Sequence, residues 1–172
     1  MLKKRTFLAL LITIIMSVGS FQSLAQQIKE GAGMSLQGVD INNKKLDLSA
    51  YAGKIVLVSF FTAGCNVCAR DLKLMREFYL NNRNKNFVLL AVNIDSKKED
   101  FSEYMHIIEL STPKDQHFPT VWRFAPEHKD NFGVITRQPT HFVLNAKQQL
   151  LFKREGSFQA EDWDQLWEYI NN

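Results

Sequence analysis

The two residues of this sequence most suited to chemistry are Cys65 and Cys68, which are also its only cysteines. They follow the apolar run 55–61 and open a segment whose apolar residues recur with helical spacing. This pattern predicts a buried strand that delivers a C-x-x-C pair to the start of a helix. Because a helix N-terminus presents unpaired N–H groups and a partial positive charge, a thiolate is stabilised there. The placement favours thiol–disulfide exchange.

Such an exchange needs two sulfurs with different surroundings. We expect Cys65, at the helix N-terminus, to be exposed and to form the mixed disulfide, and Cys68, one turn into the helix, to be buried and to resolve it. A structural disulfide or half of a zinc site would also use two cysteines. However, the four histidines show no finger-like spacing that would complete a zinc site. We therefore expect no metal and no organic cofactor, because the dithiol itself carries the electrons.

The elements around the cysteine pair alternate between apolar runs and helical patterns. Nearly continuous apolar runs at 55–61 and 87–94 are typical of strands buried on both faces. The sequence from Ser96 to Glu99 fits a capping box before a helix, and 111–133 fits an irregular stretch with a short helix before Gly133. Further strands are predicted at 46–48, 139–145 and 149–154, and a last helix around 163–170. This order implies a sheet with both parallel and antiparallel pairs.

Residues 1–25 have the three parts of a secretory signal peptide. A basic start at 3–5 precedes an apolar stretch, and 23–25 fits a small-residue cleavage site. The apolar stretch is shorter than the roughly 20 residues of a membrane-spanning helix, so a cleaved signal is favoured over an uncleaved anchor. We expect 26–33 to be a flexible lead-in and 34–172 to be one domain. Export predicts a periplasmic location, where disulfides persist.

The charge balance excludes an electrostatic nucleic-acid surface. The full sequence has 21 basic and 18 acidic residues, for a net charge of +3. The three basic residues at 3–5 account for the whole excess, so the segment 26–172 is neutral overall. A neutral domain lacks the basic footprint of a nucleic-acid-binding protein, and no nucleic-acid partner is predicted.

Several motifs between 34 and 171, taken in order, resemble those of the TlpA-like (ResA-like) periplasmic disulfide reductases. They are Gly53-Lys54, Phe60–Asp71, Val92–Asp95, Phe132–Val134 and Pro139–Leu144. The resemblance implies an α/β, thioredoxin-like fold, with a central mixed β-sheet flanked by helices and an N-terminal β extension. The sequence departs from the family pattern at Gly64, where members commonly have Trp, and at Val67, where they often have Pro. Ser59 replaces the buried acidic residue familiar from thioredoxin itself.

The resemblance also implies roles for residues outside the cysteine pair. Asp71, three residues after Cys68 and close to it on the helix surface, has the place of a functional Glu and would exchange protons with Cys68. The alternative is a carboxylate that only complements the helix dipole. Pro139 resembles the cis-proline that faces the redox pair. Its cis bond would place the Gln138 backbone beside the sulfurs, so that Gln138, Pro139 and Thr140 bind a client strand.

The resemblance implies an exported thiol–disulfide oxidoreductase, and more specifically a reductant of protein disulfides. Its electrons would come from a membrane thiol transporter, and its clients would be apocytochrome c or a copper-site assembly factor. A DsbA-like oxidant is one alternative, and an interaction module with a merely structural disulfide is another. A copper-binding chaperone would use Cys65, Cys68 and His141, a ligand set that suits Cu(I). The favoured interpretation of His141 is a sheet residue that points away from the cysteines. The sequence leaves the oligomeric state open.

Overall fold

The computed structural model describes residues 28–172, which form two sheets and three α-helices. The predicted signal segment 1–25 lies outside the described residues. None of the helices within 28–172 has the length and apolar composition that crossing a membrane requires. The strands are β1 (Leu36–Val39), β2 (Lys45–Asp47), β3 (Ile55–Phe61), β4 (Phe87–Asn93), β5 (Thr120–Trp122), β6 (Lys129–Asp130), β7 (Thr140–Leu144) and β8 (Leu150–Glu155), and the helices are α1 (Asn66–Asn82), α2 (Lys98–Ser111) and α3 (Ala160–Asn171).

The central sheet has the strand order β5-β4-β3-β7-β8. β3 is parallel to β4, and β4 is parallel to β5, whereas β7 runs antiparallel to both β3 and β8. Parallel β3 and β4 are connected through α1, and the antiparallel pair β7–β8 is connected by a short turn. Every residue of β4 is buried, which explains its nearly uninterrupted apolar run. The predicted mixed sheet is confirmed.

The side chains of β3 alternate between the two faces of this sheet. Leu57 and Phe61 belong to the core that packs against α1 and α3. Val58 and Phe60 belong to the core on the opposite face, which packs against the second sheet and Phe132. A residue of β3 therefore faces the cysteine-bearing helix α1 only if, like Leu57, it has an odd residue number.

The second sheet, with the order β2-β1-β6, forms the N-terminal β extension. The chain before β1 is tied to the central sheet, because the N–H of Gly31 donates to the carbonyl of Leu150 (2.8 Å) and the N–H of Met34 donates to that of Gln148 (2.8 Å). The described part of the predicted flexible lead-in, residues 28–33, thus lies along the β7–β8 hairpin rather than apart from the domain.

Two local predictions between β4 and β7 are wrong. α2 begins at Lys98 after Lys97, which makes no capping hydrogen bond with its side chain, so Ser96 does not start a capping box. Between 111 and 133 the described chain has a 3-10 helix at Lys114–Gln116 and the strands β5 and β6, with no helix directly before Gly133. β5 has only three residues, too few to show an alternating pattern, and it exists because it pairs with β4.

Candidate active site

The cysteine pair lies at the edge of the central sheet where the parallel strands end. β3 ends at Phe61, and a short loop carries the chain to Cys65, the N-cap residue of α1. Cys65 Sγ accepts a hydrogen bond of 3.0 Å from the N–H of Cys68, so the sulfur takes the place of a capping oxygen. The N-terminus of α1 therefore directs its partial positive charge at this sulfur. Once the bond between the cysteines is reduced, both effects stabilise a Cys65 thiolate.

Asp95, two residues beyond β4, holds the loop before Cys65. Its Oδ2 accepts hydrogen bonds from the Ala63 N–H (2.8 Å) and from Asn93 Nδ2 (2.6 Å). Its carbonyl oxygen accepts a hydrogen bond from Trp122 Nε1 (2.7 Å). The ends of β3, β4 and β5 are thereby tied together at one edge, which we call the redox edge (residues 62–65, 93–95 and 122–124). Sequence reasoning assigned Asp95 no role, although its position directly after a buried strand was a usable signal.

Cys65 and Cys68 form a disulfide, with their Cα atoms 5.2 Å apart. Cys65 is half-buried, whereas Cys68 has no exposed surface. The space beside Cys65 is open, because a Cβ placed on Gly64 would meet no atom within 4 Å. Val67, between the cysteines, is 42% exposed. A partner can therefore reach the sulfur of Cys65 but not that of Cys68.

Asp71 lies one turn after Cys68 on the inner side of α1 and is only 3% exposed. The side chain is buried because α1 turns this side, with Leu72, toward the sheet. Asp71 Oδ2 accepts a hydrogen bond of 3.1 Å from the N–H of Phe158, in the segment before α3. Burial raises the pKa of the Asp71 carboxyl, but His141 and the Phe158 N–H outweigh burial and bring the pKa below its ordinary value. Asp71 is therefore ionised at neutral pH.

His141, in β7, has no exposed surface and lies on the face of the sheet that packs against α1. Its Nε2 is 3.5 Å from Asp71 Oδ2, and its ring meets that of Phe158 edge-on at 5.2 Å between centroids. The prediction that His141 points away from the cysteines is wrong, because it shares this face with Cys68. All five residues of β7 are buried, so polarity along the strand gave no sign of which face each residue takes. Burial lowers the pKa of His141, with Asp71 opposing it, and the imidazole is uncharged at neutral pH.

The described residues offer no metal site at the cysteine pair. Within 28–172, no three His, Cys, Asp or Glu side chains come together in a way that could hold a metal ion. Cys65, Cys68 and His141 thus do not form the ligand set that a copper chaperone would need, and both sulfurs are engaged in the disulfide. The structure does not support the copper-chaperone alternative.

The segment before β7 lies beside the end of β3, on the side of β3 opposite to β4. Thr140 begins β7 and is the register partner of Phe60, near the end of β3. The peptide bond between Gln138 and Pro139 is cis, as the resemblance implied. Gln138 is exposed, and its backbone N–H and C=O have no hydrogen-bond partner within residues 28–172. These two groups are therefore free to pair with another extended chain.

The architecture and the cysteine geometry agree with what the chain is similar to. The model of the AhpC/TSA family matches residues 26–153, well over half of the sequence. The chain belongs to the AhpC/TSA family. Among its relatives, the thiol-disulfide oxidoreductase ResA of Bacillus thuringiensis subsp. konkukian is 24% identical over 131 residues, which cover 76% of this chain and 70% of that protein. ResA of Geobacillus thermodenitrificans is 25% identical over 131 residues, covering 76% of this chain and 71% of that protein.

Solved structures of other proteins share the fold at lower identity. The thioredoxin-family thiol:disulfide interchange protein of Chlorobium tepidum TLS superposes with a TM-score of 0.64 at 17% identity, covering 85% of this chain and 99% of that one. The thioredoxin domain of a thiol-disulfide oxidoreductase from Bacteroides vulgatus gives a TM-score of 0.63 at 18% identity, covering 84% of this chain and 100% of that one. The predicted family resemblance and thioredoxin-like fold are confirmed, and the comparisons support thiol–disulfide oxidoreductase activity.

Proposed function

We propose that this protein is an exported reductant of protein disulfides that cycles between a Cys65/Cys68 dithiol and disulfide. The observation that carries the proposal is the difference between the two sulfurs. Cys65 is reachable and caps a helix, whereas Cys68 is fully buried one turn away, close in sequence to the ionised Asp71. The similarity to proteins named thiol-disulfide oxidoreductase ResA supports the same chemistry.

The dithiol would donate its two electrons to a client in two exchange steps. The Cys65 thiolate attacks one sulfur of the client disulfide, and the other client sulfur leaves as a thiolate. The Cys68 thiol then gives up its proton and attacks Cys65 Sγ, which releases the second client sulfur and forms the Cys65–Cys68 disulfide. The client gains two electrons and the protein loses two. A dithiol of a membrane thiol transporter would reverse these steps and return the protein to its reduced form.

Asp71 is the residue we propose as the proton acceptor for Cys68. The alternative, that it only complements the helix dipole, is weakened by its position, because dipole effects fall off within the first helical turn and Asp71 lies beyond that turn of α1. A surface carboxylate would serve the dipole equally well, whereas this one is buried and held by the N–H of Phe158. A buried thiol cannot lose its proton directly to solvent, so a buried base close to it in the chain fits the second exchange step.

Client binding would use Gln138, Pro139 and Thr140. The free N–H and C=O of Gln138 would pair with an extended client segment by β-augmentation and bring its disulfide to Cys65. The exposed Val67 would contact the client on the other side of the sulfur, and the open space at Gly64 would leave room for it. Backbone pairing recognises an extended cysteine-bearing chain rather than a folded surface, which fits clients such as apocytochrome c or a metal-site assembly factor.

The predicted signal peptide at 1–25 supports export to the periplasm, an oxidising compartment in which the disulfides of client proteins persist. Expression of the full chain tests this directly. We expect a periplasmic product that begins at residue 26, seen by fractionation and N-terminal sequencing. A product that stays in the membrane with residues 1–25 attached would contradict cleavage.

The central experiment traps clients in cells with the Cys68→Ser variant. Without the resolving sulfur, mixed disulfides between Cys65 and clients accumulate and can be identified by mass spectrometry after non-reducing electrophoresis. The matched control, Cys65→Ser, should trap nothing, because its remaining sulfur is buried. Equal trapping by both variants, or by neither, would overturn the assignment of nucleophile and resolving cysteine.

A DsbA-like oxidant is the second candidate, because the same two sulfurs run in the opposite direction. The reduction potential separates the two, since values near about −120 mV mark a strong oxidant and values below roughly −200 mV favour a reductant. We expect equilibration with glutathione to place the Cys65–Cys68 pair in the lower range. A potential near that of the strong oxidant would overturn the proposed direction and leave the exchange chemistry intact.

A further inference from the structure

The core between the central sheet and α1 contains buried polar atoms that make no hydrogen bond of normal geometry. Ser59 Oγ and both ring nitrogens of His141 are buried and have no hydrogen bond of normal geometry within residues 28–172. Ser59 and His141 are directly opposed register partners on β3 and β7, so their side chains lie on the same face. Unpaired buried polar groups are costly and rare in native proteins. Three such atoms at one place, on the cysteine side of the sheet, call for a functional reason.

The charged groups around His141 come from α1, from α3 and from the paired strand β8, whose Arg154 is the register partner of His141. α1 contributes Asp71, whose Oδ2 is 3.5 Å from His141 Nε2, and α3 contributes Asp162 at longer range. Asp162 is already paired, since Arg154 donates to its two oxygens at 2.7 and 2.8 Å. The cation nearest to Asp71 is Arg70, whose Nε is 3.9 Å away on a side chain that is 67% exposed. His141 is thus the buried basic group in contact with Asp71.

We propose that His141 and Asp71 act as one unit, in which His141 is a positioning residue that shares with Asp71 the proton released by Cys68. This inference rests on the proposed dithiol–disulfide cycle. Before the transfer, the buried region holds an Asp71 carboxylate, a neutral imidazole and a Cys68 thiol. Afterwards it holds an Asp71–His141 pair with one added proton and a Cys68 thiolate, which then attacks Cys65 Sγ. The net charge of the region is minus one in both states, so the step creates no additional buried charge.

The chemistry of the three groups explains why a carboxylate alone is poorly matched to this task. A thiol with an ordinary pKa of about 8.5 is roughly 4.5 units less acidic than an ordinary aspartic acid, and the surroundings of Asp71 lower its pKa further. An imidazole, at about 6.5, is closer to the thiol, and proton transfer is most efficient between groups of similar pKa. The neighbouring carboxylate favours the protonated ring and opposes the effect of burial. The pair therefore accepts a proton more readily than Asp71 by itself.

The test measures the second exchange step in isolation. An aromatic disulfide reagent with a coloured thiol product reacts first with Cys65 and releases one equivalent, and attack by Cys68 then releases the second equivalent. The rate of the second release is followed as a function of pH in the wild type and in two variants. His141→Gln keeps an N–H donor near Asp71 but cannot take up a proton, and His141→Leu removes both properties. The matched control is His128→Gln. The side chain of His128 is also buried and also contacts an aspartate, with Nε2 2.7 Å from Asp130 Oδ2. His128, however, lies on the opposite side of the central sheet.

We expect both His141 variants to move the midpoint of the pH–rate profile upward by about one unit and to slow the release about tenfold at neutral pH, since Cys68 must then lose its proton without the shared acceptor. His128→Gln should leave the profile unchanged. A wild-type profile in His141→Gln overturns the proposal, whatever His141→Leu does, because a role in packing alone would be retained by glutamine.

A second measurement needs no variant and covers the case in which the substitutions prevent folding. Nuclear magnetic resonance of the wild-type His141 ring should show a different titration in the dithiol and disulfide forms, because Cys68 carries an exchangeable proton only in the dithiol. Identical titrations in the two forms overturn the proposal. The two proposals remain distinguishable, since a protein that fails to reduce client disulfides but shows these shifts contradicts the proposed function alone.

Discussion

Replacing Asp130 with asparagine tests how the structure stabilises the part of the chain between β5 and β7. Asp130 is 3% exposed at its side chain, and Arg123 donates two hydrogen bonds to its oxygens at 2.8 and 2.7 Å. His128 Nε2 lies 2.7 Å from Oδ2, and the N–H of Phe132 donates to Oδ1 at 3.0 Å. Burial raises the pKa of Asp130, but these neighbours outweigh burial and lower it from 3.8 to about 2.

The magnitude follows from the difference in pKa between the folded and unfolded chain. At about 1.36 kcal/mol per pKa unit, a decrease from 3.8 to about 2 corresponds to about 2 kcal/mol in the free energy of unfolding. Because the pKa is lower in the folded state, this contribution is complete above about pH 4 and disappears as the pH falls through 2. We expect Asp130→Asn to unfold about 2 kcal/mol more easily than the wild type at neutral pH, and the difference to shrink in acid.

Urea unfolding at neutral pH and near pH 2.5, followed by circular dichroism, measures both quantities. Asp164→Asn is the matched control, because Asp164 is exposed on α3 and its replacement should change the free energy of unfolding little at either pH. If Asp130→Asn loses the same stability in acid as at neutral pH, the loss comes from packing, and the reasoning from ionisation is refuted.

Three further predictions concern the cysteine pair and the residues around it. Asp71→Asn should slow the second exchange step by about a hundredfold at neutral pH, as loss of an acid–base group does, and a wild-type rate in the coloured-thiol assay would contradict the proton transfer. Asp95→Ala should lower the free energy of unfolding by about 1 to 3 kcal/mol in urea titrations, because it leaves the N–H of Ala63 without its acceptor, and an unchanged midpoint would contradict the role of Asp95 in holding the loop. In the native reduced protein, iodoacetamide should label Cys65 and spare Cys68, and equal labelling by mass spectrometry would contradict their difference in exposure.

The amino-acid sequence alone determined the parts of this protein that rest on local patterns. The apolar runs of β3 and β4, the helical spacing after Cys68 and the turn before β8 each depend on residues close together in the chain, and all are present in the structure. The placement of Cys65 as the N-cap of α1 belongs to the same group, since the helical spacing of apolar residues begins at the cysteine pair, a few residues after β3. Local sequence could not predict β5, because three residues form a strand there only through pairing with β4.

Only the tertiary structure decided what surrounds the sulfurs. Asp71 receives its hydrogen bond from Phe158, 87 residues further along the chain, and its neighbour His141 belongs to β7. Helical spacing from Cys68 could have shown that Asp71 faces inward, but no local pattern could show what it would meet there. The face of the sheet on which His141 lies could not be predicted from the sequence, because β7 is buried on both faces and its polarity does not distinguish them. The sequence therefore identified the reactive pair, and the packing of α1 and α3 on one face of the sheet placed an aspartate and a histidine behind it.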